Sequence, residues 1–295
     1  MTKDIGVVGI GTMGFLAAKL LIDNGANVVV SDINTTALDE AKALGANIAD
    51  SPKVVAENSD IILLSLPGPT QIIEVVTGKQ GILQGANAGA VIIDLSTVDP
   101  KTTRDLGAIA AQQQVDYLDA PILGRPSAVG HWVLPVGGEA QVIDQCRPVL
   151  EQLGREIIHV GPLGAGNTLK LLNALMFSAI NAMTAEMMAI SAKAGLDPAI
   201  LFQIIGGSDA ATVSGLFKEV GQKIVERDFT PTFPIDLLCK DNGLAIQMAK
   251  DSEAPPILAN AIQTMNELAL AKGLGQEDTS ALVKVYETLL SVKVS

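Results

Sequence analysis

The feature that most constrains this chain is a change of rhythm. Over the first half, nearly continuous apolar runs at residues 5–8, 28–30, 61–66 and 91–93 alternate with helical patterns around 13–24, 35–44, 69–77 and 100–114. Runs that are apolar at every position are buried on both faces. That predicts a parallel sheet with helices on either side. Further runs at 117–120, 133–136 and 157–160 flank a helix near 141–153. From about Ala165 the strand signal almost vanishes, and helical runs follow one another between Gly and Pro. The first of these, 165–194, could form one helix of ~30 residues and ~45 Å. Gly195 ends it and Asp197-Pro198 opens the next. The expectation is an α/β, doubly wound domain over 1–162 and an all-helical domain over 163–295, joined by the long helix.

Composition narrows the function. A length of 295 residues suits two domains. With 32 acidic against 20 basic residues, the net charge of −12 is wrong for a nucleic-acid surface. An apolar content of 48% excludes disorder, and an aromatic content of 3% leaves the core to Leu, Ile, Val, Ala and Met. Cys146 and Cys239 have no metal or disulfide spacing and read as buried small hydrophobes in a reducing compartment. Lys3 and the apolar stretch 5–18 imitate a signal peptide, but Gly6, Gly9, Gly11 and Gly14 interrupt it and Asp4 cancels Lys3. The best membrane candidate, 171–190, contains Asn173, Asn181 and Glu186. A cytoplasmic protein without a membrane partner is expected.

Gly9-Ile10-Gly11-Thr12-Met13-Gly14 follows the first apolar run directly and opens a helix. Gly9 allows the tight turn, Gly11 lets a pyrophosphate approach the backbone, and Gly14 permits close helix–strand packing. Asp32 stands at the end of the second run, about twenty residues on, where an acid binds the adenosine ribose hydroxyls. This is a Rossmann-type dinucleotide fingerprint. Ile33, Asn34, Thr35 and Thr36 supply no cation for a 2′-phosphate, which favours NAD over NADP.

At this point the chain resembles the β-hydroxyacid dehydrogenase family, which includes 3-hydroxyisobutyrate dehydrogenases and tartronate semialdehyde reductases. The likeness is spread over most of the sequence. It lies in GIGTMG, in Ser65-Leu66-Pro67, in Asp94-Leu95-Ser96-Thr97 and in DAPILG from Asp119. It continues in GAGNTLKLLN from Gly164, in KDNGLA from Lys240 and in GQEDTSAL near the C-terminus. The resemblance implies that Leu66, Pro67, Thr97 and Lys240 face the cofactor and that Lys170 is the catalytic lysine. It also implies pairing through the helical domain, as a homodimer or homotetramer, and an active site in a cleft between the domains.

Departures matter too. The family's substrate segment usually continues Ser-Gly-Gly; here Leu123-Gly124-Arg125-Pro126 stands there, and 119–130 is about two residues short. The asparagine common four residues after the lysine is Ala174, with Asn173 one position earlier as an orienting substitute.

The residues support the lysine on their own terms. Hydride transfer to a carbonyl creates an alkoxide, which needs a positioned proton donor. Lys170 lies in an apolar helix with Asn167 and Asn173 three residues to either side. A snorkelling lysine near a helix start remains the bland alternative. Arg125, in Gly124-Arg125-Pro126-Ser127, is similar to a Gly-Arg-x-Ser segment of the family's sulfolactaldehyde reductases, which handle a sulfonate. A guanidinium suits bidentate binding of an acidic group, with Ser127 as second donor, unless it points to solvent or pairs with an acid. The reading is an NAD-dependent enzyme interconverting a small anionic 3-hydroxy acid and its semialdehyde, with substrate at Leu123, Gly124, Arg125, Ser127 and Lys170. An imine reductase-like NAD(P)H-dependent enzyme and a non-catalytic cofactor-binding module are the alternatives. His131 and His159 are the only histidines, too few for a His-rich metal site, and no metal is expected.

Overall fold

A computed structural model of the chain describes residues 4–207 and 214–294. The described residues form two compact units, 1–170 and 171–295.

The first unit is a sheet of eight strands with helices between them. The strands are β1 (Ile5–Val8), β2 (Val28–Ser31), β3 (Asn47–Ile48), β4 (Ile61–Leu64), β5 (Val91–Asp94), β6 (Asp116–Asp119), β7 (Trp132–Gly137) and β8 (Gly154–Gly161). The helices are α1 (Thr12–Asp23), α2 (Thr35–Ala43), α3 (Pro52–Glu57), α4 (Pro69–Thr77), α5 (Pro100–Ala111) and α6 (Ala140–Leu153). Strand order is β3-β2-β1-β4-β5-β6-β7-β8. Alternate residues of each strand serve opposite faces, as the pleat requires. Ile61 and Leu63 pack with α1 and α6 residues such as Leu21 and Leu150. Ile62 and Leu64 pack with Ile72 of α4 and Leu106 of α5. Truncating one of these fully buried leucines to Ala would cost about 2–5 kcal/mol. Both faces are covered, so the sheet is doubly wound.

The sheet is parallel from β3 to β6, but β7 runs antiparallel to β6 and β8 parallel to β7. The reason lies in the connection. A parallel crossover needs a dozen or more residues, usually with a helix. Residues 120–131 hold only a 3-10 turn, Pro126–Ala128. The chain therefore folds back, and Leu123 and Val133 exchange backbone hydrogen bonds of 2.9 and 3.1 Å.

The second unit is helical: most of α7 (Ala165–Lys193), then α8 (Pro198–Gly207), α9 (Gly215–Glu226), α10 (Ile235–Asp251), α11 (Ile257–Ala271) and α12 (Val283–Leu290). Its core includes Ala185, Met188 and Ala189 of α7 with Val220, Ile224, Ile235 and Val283. By length and composition α7 could cross a membrane, the only such helix among the described residues. Half of the apolar window is nevertheless buried inside the protein, as in the core helix of a globular domain. By packing, residues 165–170 at the start of α7 group with the first unit, because they are bonded to its strand ends.

Candidate active site

Order reverses at β1, which pairs with β2 on one side and β4 on the other. In an open α/β sheet, ligands bind outside the carboxyl ends of strands at such a switch point. Gly9–Gly14 follows β1, Asp32 follows β2, Leu66 and Pro67 follow β4, Thr97 follows β5, and Leu123–Ser127 follows β6. The structure therefore brings these residues to one edge of the sheet.

The glycine loop has two kinds of glycine. A Cβ at Gly9 (φ 87°) would lie 2.4 Å from the Ser65 carbonyl oxygen, and one at Gly14 would lie 2.0 Å from that of Gly9. Packing within the protein demands both. A Cβ at Gly11 would meet nothing within 4 Å. Gly11 is thus not needed by the fold, and the space beside it opens outward at the start of α1, where no side chain caps the helix. An open, uncapped helix start with this glycine fits a pyrophosphate. Asp32 accepts the Ile10 N–H at 2.6 Å on one carboxylate oxygen and the Asn34 N–H at 2.8 Å on the other. Each oxygen keeps a lone pair for a ribose hydroxyl. Ile33 beside it is fully exposed. These residues fit NAD.

The loops after β4 and β5 are fastened to each other. The Leu66 N–H donates to Ser96 Oγ at 2.9 Å, and the Ser96 N–H donates to Asp94 Oδ1 at 2.9 Å. Tyr117 Oη–H donates to the other Asp94 oxygen at 3.1 Å. Burial pushes the Asp94 carboxyl up to about 6, against the Ser96 and Tyr117 hydrogen bonds and helped by Asp119 nearby.

Beyond β6, the Arg125 carbonyl accepts from Trp132 Nε1 at 2.9 Å and from the Ala128 N–H at 3.0 Å. Trp132 is wholly buried, so it anchors the turn and does not line a pocket surface. Arg125 is half-buried and Ser127 exposed. Lys170 Nζ donates to the Ile122 carbonyl at 2.7 Å, which holds the ammonium at the carboxyl end of β6. In the second unit, Asn173 is exposed on α7, and Lys240 Nζ lies 2.8 Å from Asp241 Oδ1 on α10.

Three buried polar residues, Asp94, Asp119 and Asn167, enter the sequence reading only within matched segments or beside Lys170, with no role of their own. Asp94 ends an otherwise apolar strand and Asp119 follows the buried pair Tyr117-Leu118; an acid in that place is the signal that could have singled them out.

The comparisons with known proteins agree along the whole chain. Residues 4–161 match the model for the NAD binding domain of 6-phosphogluconate dehydrogenase. Residues 164–286 match that for the NAD-binding of NADP-dependent 3-hydroxyisobutyrate dehydrogenase. A 2-(hydroxymethyl)glutarate dehydrogenase from Eubacterium barkeri is 36% identical, over 99% of this chain and 97% of its own. The chain is a member of the β-hydroxyacid dehydrogenase family. A 3-sulfolactaldehyde reductase from Escherichia coli (strain K12), another relative, is 31% identical over 95% of this chain and 94% of its own. The crystal structure of a 3-hydroxyisobutyrate dehydrogenase from Salmonella typhimurium superposes with a TM-score of 0.86 at 27% identity. It covers 96% of this chain and 99% of its own. This β-hydroxyacid dehydrogenase is an NAD-dependent oxidoreductase that acts on hydroxy acids and their semialdehydes.

Proposed function

We propose that the enzyme interconverts a small anionic 3-hydroxy acid and its semialdehyde, with Lys170 as the general acid and base. The observation that carries this is the tether of Lys170 Nζ to the Ile122 carbonyl, at the same sheet edge as the glycine loop. The glycine loop and Asp32 would hold NAD, which would supply the hydride chemistry at the substrate carbon. In reduction Lys170 donates a proton to the developing alkoxide; in oxidation it takes that proton back. Arg125 holds the substrate's acidic group, with Ser127, Gly124 and Leu123 forming the rest of that turn. Asn173 orients the lysine and Lys240 serves the cofactor. The 3-sulfolactaldehyde reductase relative supports a substrate acid beyond carboxylate, so sulfonates belong in the substrate screen.

The test is an NADH-oxidation screen of short carboxylated and sulfonated aldehydes beside cyclic imines, with Lys170→Ala run in parallel. Anionic aldehydes should turn over, and Lys170→Ala should lower kcat by about two to four decades. Turnover of imines alone, or near-normal turnover by Lys170→Ala, would reject the reading.

A second copy of the chain is the proposed partner of the helical unit, giving a homodimer or homotetramer. Met176, Met183 and Ile190 recur every seven residues on α7 and are 63%, 60% and 53% exposed, an apolar stripe that water disfavours. Met183→Glu should shift the sedimentation coefficient to that of a monomer. A cytoplasmic setting without a membrane partner fits Cys146 and Cys239, both buried and outside any disulfide.

A further inference from the structure

The helix that carries Lys170 starts without a capping side chain of its own, since Gly164 precedes it. Its first N–H groups would otherwise lack acceptors. Asp119 supplies them from the end of β6. One carboxylate oxygen accepts the Gly164 N–H at 2.7 Å and the other the Asn167 N–H at 2.7 Å. The side chain is fully buried. Its surroundings are cut to fit it. A Cβ at Gly137 would lie 2.3 Å from Asp119 Oδ1, and one at Gly166 would lie 3.0 Å from Oδ2. Asn167 extends the attachment: its side chain accepts the Val98 N–H at 3.2 Å and donates to Thr103 Oγ1 at 3.2 Å.

The spacing matters. Lys170 lies three residues beyond Asn167, and Ile122 lies three residues beyond Asp119. The segment 119–122 therefore grips α7 twice, once by carboxylate on the helix start and once by the Ile122 carbonyl on Nζ. We propose that Asp119 is a positioning residue for Lys170, locking the first turn of α7 to the loop that carries Ile122 and Arg125 so that the ammonium stands where the substrate oxygen is presented. Asp119 itself touches no reacting atom. A displacement of about 1 Å in a catalytic group can cost about a hundredfold in rate, so a loosened first turn is enough to matter. The inference rests on the reading of Lys170 as acid and base.

Asp119→Asn keeps the shape and one acceptor oxygen; Asp119→Ala removes both. Both are compared with Lys170→Ala and with the double variant Asp119→Asn/Lys170→Ala in the full chain. NADH stoichiometry and affinity, read by fluorescence, report the folded fraction. Asp119→Asn should lower kcat tenfold or more while binding one NADH per chain within threefold of normal affinity. Asp119→Ala should be slower still; if it does not fold, Asp119→Asn carries the comparison. The double variant should be no slower than Lys170→Ala alone, because a residue that acts through the lysine has nothing to act on once it is gone. Three results overturn the inference: kcat within twofold of wild type in Asp119→Asn, a fall that only tracks lost NADH sites, or additive losses in the double variant. If Lys170→Ala itself keeps its turnover, the reading of the lysine fails first. If it loses turnover while Asp119→Asn does not, the positioning inference alone fails.

Discussion

Asp94 and Asp119 are register partners on adjacent strands, each closing an apolar run with a carboxyl group at zero exposure. Burial is the largest influence on both and raises each from 3.8 to about 6. Between those values the folded chain holds protons that the unfolded chain has released. The stability these groups contribute is therefore complete below pH 3.8 and is lost as pH rises through about 6. Asp94→Asn removes one such ionisation and should flatten the fall by about 1.4 kcal/mol per pH unit within that window. Urea unfolding of both proteins in half-unit steps from pH 4 to 7 measures it; parallel curves would refute the assignment.

Gly11→Ala separates ligand need from fold need. Its Cβ meets no protein atom within 4 Å, so the melting temperature should stay within a degree or so of wild type. NADH affinity should weaken by tenfold or more, which is at least ~1.4 kcal/mol. Gly14→Ala should instead destabilise the protein before any cofactor is added, because its Cβ would stand 2.0 Å from the Gly9 oxygen. Equal thermal shifts in the two variants would contradict this division.

Asp32 both accepts the Ile10 N–H and presents its remaining lone pairs at the ribose position. Asp32→Ser should narrow the preference for NADH over NADPH by about 1–3 kcal/mol in kcat/KM, the scale of one charge-assisted hydrogen bond. A wild-type enzyme that uses both cofactors equally well would remove the basis for this.

Arg125 sits in a turn held by Trp132 and Ala128 through its carbonyl, so truncating its side chain leaves the backbone supported. Arg125→Ala should raise KM for the anionic substrate by about 2–3 kcal/mol in free-energy terms and leave NADH affinity unchanged. An unaltered KM, or faster turnover of uncharged aldehydes than of anionic ones, is the contrary result.

Much of this was legible in the residues. The four central parallel strands, β1, β2, β4 and β5, announce themselves because burial on both faces demands apolar side chains at nearly every position. Gly9–Gly14 and Asp32 are readable because a phosphate and a ribose impose residue types at fixed spacing. What escaped has physical reasons as well. β3 has two residues, both exposed, so no apolar run marks it. α3 has six residues, too short for periodicity, although Ser51 before Pro52 is a helix start in plain view. The reversal at β7 is marked by no residue type: 120–131 carries only the 3-10 turn Pro126–Ala128 where a parallel crossover would carry an α-helix. Asp119 escaped because its partners are backbone N–H groups 45 and 48 positions away, and a backbone donor leaves no letter in the sequence.

The turn at residues 123–127 opens no helix. Each loop that presents the nucleotide edge also sets the start of α1, α2, α4 or α5, so a change there disturbs a packed element. The segment after β6 is instead the closed end of a hairpin, stitched at Leu123 and Val133 and pinned from below by a buried indole. The side chains of Arg125 and Ser127 can be exchanged without re-registering the sheet, whereas Gly124 cannot take one, since a Cβ there would lie 2.4 Å from Trp132 Cδ1. With Arg125 holding the substrate's acid as proposed, selection can rewrite which acid the enzyme accepts as one would change a drill bit, while the chuck that grips the dinucleotide stays the same.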